Sequence, residues 1–171
     1  IKDILIQKAR QGVEVRFIYD DFGSRSIRNK VVGELRNAGV EAYPFNRVRL
    51  LLFANRINYR NHRKIIIVDG SCGFIGGINI SDRYINHQDD AGKLYWRDTH
   101  LRIDGPGILY LQHTFLCDWN FCSDQSIQLD GLYYDQIRYD SDVSVQIAAG
   151  GPDSPASTIM LSFLKAISLA K

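Results

Sequence analysis

An α/β fold is predicted for this chain from three observations. Helical and strand-like patterns alternate from the first residue to Phe45, and a β-branched run at Ile65, Ile66, Ile67 and Val68 reads as a central strand. A hydrophobic content of 45% over 171 residues is enough for one domain with its own apolar core.

The elements follow in order. Ile1, Ile4 and Leu5 with Lys8 have the spacing of an amphipathic helix over 1–11, which Gly12 ends. No capping residue stands ahead of it, so the natural chain is expected to begin further upstream. Residues 13–19 alternate and are β-branched or aromatic, which predicts a strand. A helix over 27–38, closed by Gly39, and a strand over 40–45 come next. The run 64–68 is apolar on both parities, which predicts burial on two faces. Asp69 and Gly70 form a turn pair, and 73–78 reads as the following strand. After a polar loop at 87–93 come a strand over 99–103 and a helix over 107–119, with Ile108, Leu109, Leu111, Phe115 and Leu116 apolar. Residues 123–142 are polar and acid-rich and suit a connector. A strand is expected over 143–148. Gly150, Gly151 and Pro152 break it, Asp153 or Ser154 can cap, and Pro155 suits the first turn of a helix running toward Lys171. The chain thus divides into a domain at 1–148 and the start of a second at 149–171.

A net charge of +2 singles out no nucleic-acid partner, but the charge is unevenly spread. Arg47, Arg49, Arg56, Arg60, Arg63 and Lys64 fall in a stretch without an acid, whereas the chain from Asp104 to Leu164 holds Arg138 as its single base. An anionic ligand belongs near the first segment. Leu50, Leu51, Leu52 and Phe53 sit among those arginines; the stretch is either an ordinary solvated face or an interfacial loop for anionic lipid. No apolar run approaches the roughly 18 residues that span a bilayer. Trp96 and Trp119 read as core or interface aromatics, since the alternation of aromatics with bases expected for single-stranded nucleic acid is not present.

Cys72, Cys117 and Cys122 are an odd set, which argues for a reducing compartment over a disulfide framework. His113 with Cys117 and Cys122 lacks an evident fourth ligand for a metal, and buried thiols are the plainer reading. No metal or cofactor is expected.

The chemistry is concentrated between Asn61 and Asn79, where His62, Lys64, Asp69, Gly76, Gly77 and Asn79 stand in the pattern HxKx4Dx6GGxN. At average residue usage such a pattern recurs on the order of once in a million chains of this size, so it is treated as a site. Side chains two apart on a strand share a face, which sets the His62 imidazole beside the Lys64 ammonium. Neutral histidine is a competent nucleophile toward phosphorus, and an ammonium and an amide, Lys64 and Asn79, can hold the equatorial oxygens as charge grows on them. Gly76 and Gly77 let the second strand approach closely and deliver Asn79 to the same mouth of the sheet. Asp69 has the opposite parity from Lys64 and reads as a structural anchor within the motif. His100 has no partner pattern and reads as a packing residue.

The pattern resembles the signature of the phospholipase D superfamily. NYRNHRKIIIVDG, the paired glycines before Asn79, YWRDTHLRIDGP and the late GPDSP make nearly the whole chain similar to the first half of bacterial cardiolipin synthases. The resemblance implies a phospholipase D-like mixed sheet flanked by helices, truncated at both ends and missing its N-terminal strand. It implies metal-free phosphatidyl transfer in two steps. His62 attacks one phosphatidylglycerol and releases glycerol, and the hydroxyl of a second phosphatidylglycerol resolves the phosphatidyl-histidine to cardiolipin. It also implies an acid on a later strand that fixes the histidine tautomer, for which Asp98 is the candidate, and substrate contacts from Gly76, Gly77, Arg60 and Arg63. Implied partners are the anionic lipid, a membrane surface and a second HKD domain in the same chain or a dimer, with no nucleic acid. The implied location is the cytoplasmic face of the bacterial inner membrane.

The family carries two such motifs and this chain has one, because His87, His100 and His113 begin no second HxK. An isolated fragment is therefore expected to be inactive. Two other functions compete: a single-motif phosphodiesterase or nuclease acting as a homodimer, and a non-catalytic lipid-binding domain. The intact set of His62, Lys64 and Asn79 speaks against the last.

Overall fold

The structure is a computed structural model that describes residues 1–25, 29–46, 60–86, 95–129, 142–151, 154 and 157–170. Helix α1 (Lys2–Arg10) leads into strand β1 (Arg16–Asp20), then helix α2 (Lys30–Asn37) and strand β2 (Glu41–Phe45). β1 and β2 pair in parallel, Arg16 opposite Glu41 and Asp20 opposite Phe45, as expected of two strands joined by a crossover helix. α2 buries Val32 and Leu35, and its Arg36 donates to the Ala42 carbonyl at 2.6 Å through Nη2, tying the helix to β2.

Strands β3 (Ile65–Val68), β4 (Cys72–Gly76) and β5 (His100–Asp104) form a separate antiparallel sheet in that order. Among the described residues the expected mixed sheet is thus divided in two, one part parallel and one antiparallel. The β3–β4 turn needs left-handed backbone at two successive residues, and Asp69 (φ 50°) and Gly70 (φ 60°) supply it. Ser71 closes the turn by donating its N–H to the Val68 carbonyl at 3.1 Å.

Helix α3 (Ile108–Ser123) joins the two sheets. Its first half buries Ile108 and Leu111 against Ile65, Ile67, Ile75 and Ile103. Its second half meets the parallel pair, with Trp119 edge-on to Tyr43 at a centroid distance of 5.2 Å and Phe121 against Phe45 at 5.5 Å. The loop after it adds Gln125, whose amide donates to Glu41 at 3.0 Å.

Two expectations are corrected. β3 is covered on one face only: Ile65 and Ile67 lie under α3, whereas Ile66 and Val68 are 52% and 47% exposed. A run apolar on both parities implied two covers, and among the described residues only α3 provides one. That open face also carries Arg102 paired with Asp104, Nε to Oδ2 at 2.8 Å, which lowers the Asp104 carboxyl from its ordinary value. Among the described residues, 143–148 form no ladder; Ile147 instead packs on the Ile103, Ile108 and Leu111 cluster, and Val145 lies against Gly107.

Helix α4 (Thr158–Leu169) is apolar yet buries none of its residues. The expected helix starts at 27 and 107 fall at 30 and 108, and α3 runs on to Ser123. No helix among the described residues is long and apolar enough to cross a membrane. Arg47, Arg49, Arg56, Leu50–Phe53 and His87 lie outside the described residues.

The paired glycines separate two kinds of constraint. A Cβ on Gly76 would sit 2.4 Å from the Thr99 carbonyl oxygen and 2.6 Å from the His100 Cα, both backbone atoms of the neighbouring strand. On Gly77 it would instead meet the Asp98 carboxylate at 2.3 Å, the end of an exposed side chain that can swing away. Gly76→Ala is therefore expected to prise β4 from β5 and cost about 1–3 kcal/mol, and Gly77→Ala well under that. Urea titration of both variants checks the order; equal midpoints would contradict it.

Candidate functional site

The antiparallel register decides which motif residues share an end of the sheet. Ile65 pairs with Ile75, and Gly76 with His100. The residues preceding β3, His62 and Lys64, therefore lie at the same end as those following β4, which include Asn79. Asp98, two residues ahead of β5, lies there as well. Asp69 caps the opposite end, four strand residues or about 13 Å away. The structure thus brings His62, Lys64, Asn79 and Asp98 to one rim and sets Asp69 in a turn remote from it.

The local conformation around His62 differs from the strand that parity assumed. Residues 60–64 are irregular and β3 begins only at Ile65. The β3–β4 ladder begins at the Ile65–Ile75 pair, and Gly77, just beyond β4, donates its N–H to Thr99 at 3.0 Å on the β5 side. The ammonium reaches the backbone of His62 by another route. The Lys64 side chain curls back and donates to the His62 carbonyl at 2.6 Å. His62 is exposed, and among the described residues its ring makes no hydrogen bond.

Asn79 donates its amide to the Tyr84 hydroxyl, which fixes its orientation. Tyr84 lies on a short 3-10 turn (Asp82–Tyr84), and its ring leans on Trp96 at 5.4 Å. Trp96 is fastened by Asn86, which accepts from its N–H at 3.0 Å and donates to its carbonyl at 2.7 Å. A pair of aromatic rings thus flanks the amide. Asp98 rests on the Gly77 backbone, and no hydrogen bond joins it to His62 among the described residues. His100 packs under Gly76 with its Nδ1 enclosed and unpartnered among the described residues.

Arg60 and Arg63 have carboxylate partners. Arg60 donates through Nε and Nη2 to Asp20 Oδ1 at 3.2 and 2.9 Å and lies over the Phe22 ring at 5.0 Å. Arg63 grips both oxygens of Asp118 through Nη1 at 2.7 and 2.8 Å and reaches the Gly150 carbonyl at 3.0 Å through Nη2. Asn61 bridges the two acids. Its backbone N–H donates to Asp20 Oδ2 at 3.3 Å and its side-chain amide to Asp118 Oδ2 at 2.8 Å. Neither acid was singled out from sequence. A carboxylate closing a strand, as Asp20 closes β1, is a signal that could have pointed to one; Asp118, inside an apolar helix and far along the chain from Arg63, carries no local signal.

The described residues hold no group of three or more His, Cys, Asp or Glu that could hold a metal. His113 and Cys117 adjoin on α3, Sγ to Nδ1 at 3.8 Å, with Cys117 exposed. Cys122 differs: burial first, and then the charge of Asp118, push its thiol up to about 12 from 9.0. Between those two values the unfolded chain loses its proton first, so this group's contribution to stability falls as pH rises through that window. At pH 8, iodoacetamide is expected to label Cys117 in the folded protein and Cys122 only after denaturation, as read by peptide mass mapping. Equal labelling rates would contradict the burial.

Known proteins are similar to this chain over its whole length. The family described as "Cardiolipin synthase, PLD-like domain" matches residues 1–99. The chain is 44% identical over 172 residues to the cardiolipin synthase of Geobacillus sp. (strain WCH70), covering 100% of this chain and 34% of that protein. It is 45% identical to that of Geobacillus kaustophilus with the same coverages. The cardiolipin synthase of Staphylococcus aureus (strain Mu50) is 43% identical over 166 residues, or 96% of this chain and 33% of the relative. The chain thus spans about a third of the length of these curated relatives. No solved structure matches it. From the family match over more than half of its residues, the chain belongs to the cardiolipin synthase PLD-like domain family.

Proposed function

We propose that this chain supplies one half-site of a phosphatidyltransferase that condenses two phosphatidylglycerol molecules into cardiolipin and glycerol. The observation that carries the reading is the shared rim: an exposed imidazole, the ammonium two residues on and an amide held by Tyr84, all at one end of the β3–β4–β5 sheet. A phosphodiester entering there meets a nucleophile and two donors for its equatorial oxygens.

In the first step a ring nitrogen of His62 bonds to phosphorus while the bond to the glycerol oxygen breaks, and glycerol leaves with a proton from an acid on a second half-site. In the second step the hydroxyl of another phosphatidylglycerol gives its proton to that same group and attacks phosphorus. The phosphorus–nitrogen bond breaks and His62 is regenerated. Asp98 is the candidate for orienting His62 through its second nitrogen, a contact that would form on closure of the complete site. Asp69, in its turn at the far end of β3, serves the hairpin.

Residues 149–171 are read as the beginning of the unit that bears the second half-site, which accords with an apolar helix α4 that buries nothing. The remaining parts of the proposal are an anionic lipid surface as partner and the cytoplasmic face of the inner membrane as location. The test is incubation of the complete gene product with labelled phosphatidylglycerol and, separately, labelled DNA. Cardiolipin and glycerol are expected. Cut DNA without cardiolipin would replace the reading with a phosphodiesterase, and phosphatidate alone with a hydrolase.

A further inference from the structure

Resting on the proposed phosphatidyl transfer, we infer that Asp20 and Asp118 are positioning residues that hold the His62 segment in its reactive orientation through Arg60, Asn61 and Arg63. The segment needs such a device. Residues 60–64 lie outside the β-ladder, and the His62 ring makes no hydrogen bond among the described residues, so nothing in the sheet fixes its direction. Its chain neighbours on both sides are fixed instead.

On one side, Asp20 at the C-terminal end of β1 accepts from Arg60 Nε and Nη2 and from the Asn61 N–H. It also accepts from the Gly23 N–H. On the other, Asp118 on α3 accepts from Asn61 Nδ2 and from Arg63 Nη1. A further bond closes the loop upon itself, the Arg63 N–H donating to Asn61 Oδ1 at 2.9 Å. Both acids are largely enclosed, their side chains 15% and 14% exposed, where a charge-assisted hydrogen bond is stronger than at an open surface. Room is reserved for the first pair. A Cβ on Gly23 would stand 2.6 Å from Arg60 Nη2 and 2.8 Å from Asp20 Oδ1. The brace therefore ties three elements, β1, α3 and the approach to β3, at the residues immediately flanking the nucleophile.

This assignment gives Arg60 and Arg63 a different task from direct contact with the substrate phosphate, and the two roles predict different kinetics. A phosphate-binding arginine acts mainly on KM. A brace acts on kcat, because a displacement of about 1 Å in a nucleophile can cost on the order of 100-fold in rate. The experiment uses the complete gene product with phosphatidylglycerol vesicles. Asp118→Asn and Arg63→Gln are each expected to lower kcat about 10- to 100-fold with KM within a factor of about two. The double variant should be no slower than the worse single one, since both remove the same link. The exchanged pair Arg63→Asp with Asp118→Arg should recover part of the loss, which a purely substrate-binding arginine would not permit.

A second readout is independent of turnover. Amide hydrogen exchange over residues 60–64 should accelerate in Asp118→Asn and in Asp20→Asn while α3 and β4 stay protected. Accelerated exchange in a protein that makes no cardiolipin would retain the brace and discard the phosphatidyltransferase. Unchanged exchange with unchanged kcat would discard the brace, as would a KM rise alone in Arg63→Gln. If Asp118→Asn fails to fold, Asp20→Asn and Arg60→Gln put the same question to the other side of the segment.

Discussion

Replacing His62 by Asn is expected to lower phosphatidyl transfer by the complete gene product by about 10⁴-fold or more, the scale on which loss of a covalent nucleophile registers. Asn keeps the polarity of the side chain in a smaller group but cannot form the phosphorus–nitrogen bond, so the acid-labile phosphatidyl-histidine, trapped by detergent denaturation at mildly alkaline pH, should vanish from the peptide that contains residue 62. The fold should not change. His62 is exposed and its ring bonds to nothing among the described residues, hence removing it leaves no buried group unpaired. Lys64→Met is a graded companion. In the proposed reaction it removes a donor to the developing charge, an effect of roughly 10²–10³ in kcat, and also the bond from Nζ to the His62 carbonyl. A trapped adduct that persists in His62→Asn would move the nucleophile to the second half-site and leave His62 as the acid.

The parts of this molecule that could be read from one sequence are those whose cause is local. The opening helix, the Asp69–Gly70 turn and the apolar stripe at Ile108 and Leu111 follow from period and from backbone preference, and each lies where the pattern puts it. The motif residues were legible because their spacing encodes a hairpin, which brings Lys64 and Asn79 to one rim. Two readings went astray for the same reason. Strand parity placed His62 and Lys64 within the ladder, and the apolar run at Ile66 and Val68 implied a second cover, but pairing and cover are supplied by distant parts of the chain. The brace shows this limit most plainly. Arg60 and Arg63 beside a phosphate-handling histidine read as anion-binding groups as long as their partners are unknown; Asp20 and Asp118 lie 40 and 55 positions away. A charge identified without its counter-charge has no assignable role.

Trp119→Ala is expected to be the most damaging single change to stability, about 3–5 kcal/mol. The ring is 0% exposed and fills the junction between α3 and the parallel pair. It packs edge-on to Tyr43 at 5.2 Å, parallel to Phe115 at 6.0 Å and under the Arg16 guanidinium at 5.8 Å, and its Nε1–H donates to Gln125 Oε1 at 2.8 Å. Deleting it opens a cavity where the two sheets depend on one helix, and adds an unpaired amide and an undercut cation. Trp119→Phe separates the terms. It retains most of the volume and loses the hydrogen bond, so it should cost nearer 1 kcal/mol by that bond, with a further increment for the lost ring. Urea unfolding followed by far-UV circular dichroism would rank the two. Because Trp119 adjoins Asp118 on α3, the Ala variant should also loosen the His62 segment, whereas Asp118→Asn should slow turnover with a much smaller change in the unfolding midpoint. A Trp119→Ala protein that unfolds at the wild-type midpoint would mean that α3 is not what couples β1–β2 to β3–β4–β5, and the brace would then need another anchor.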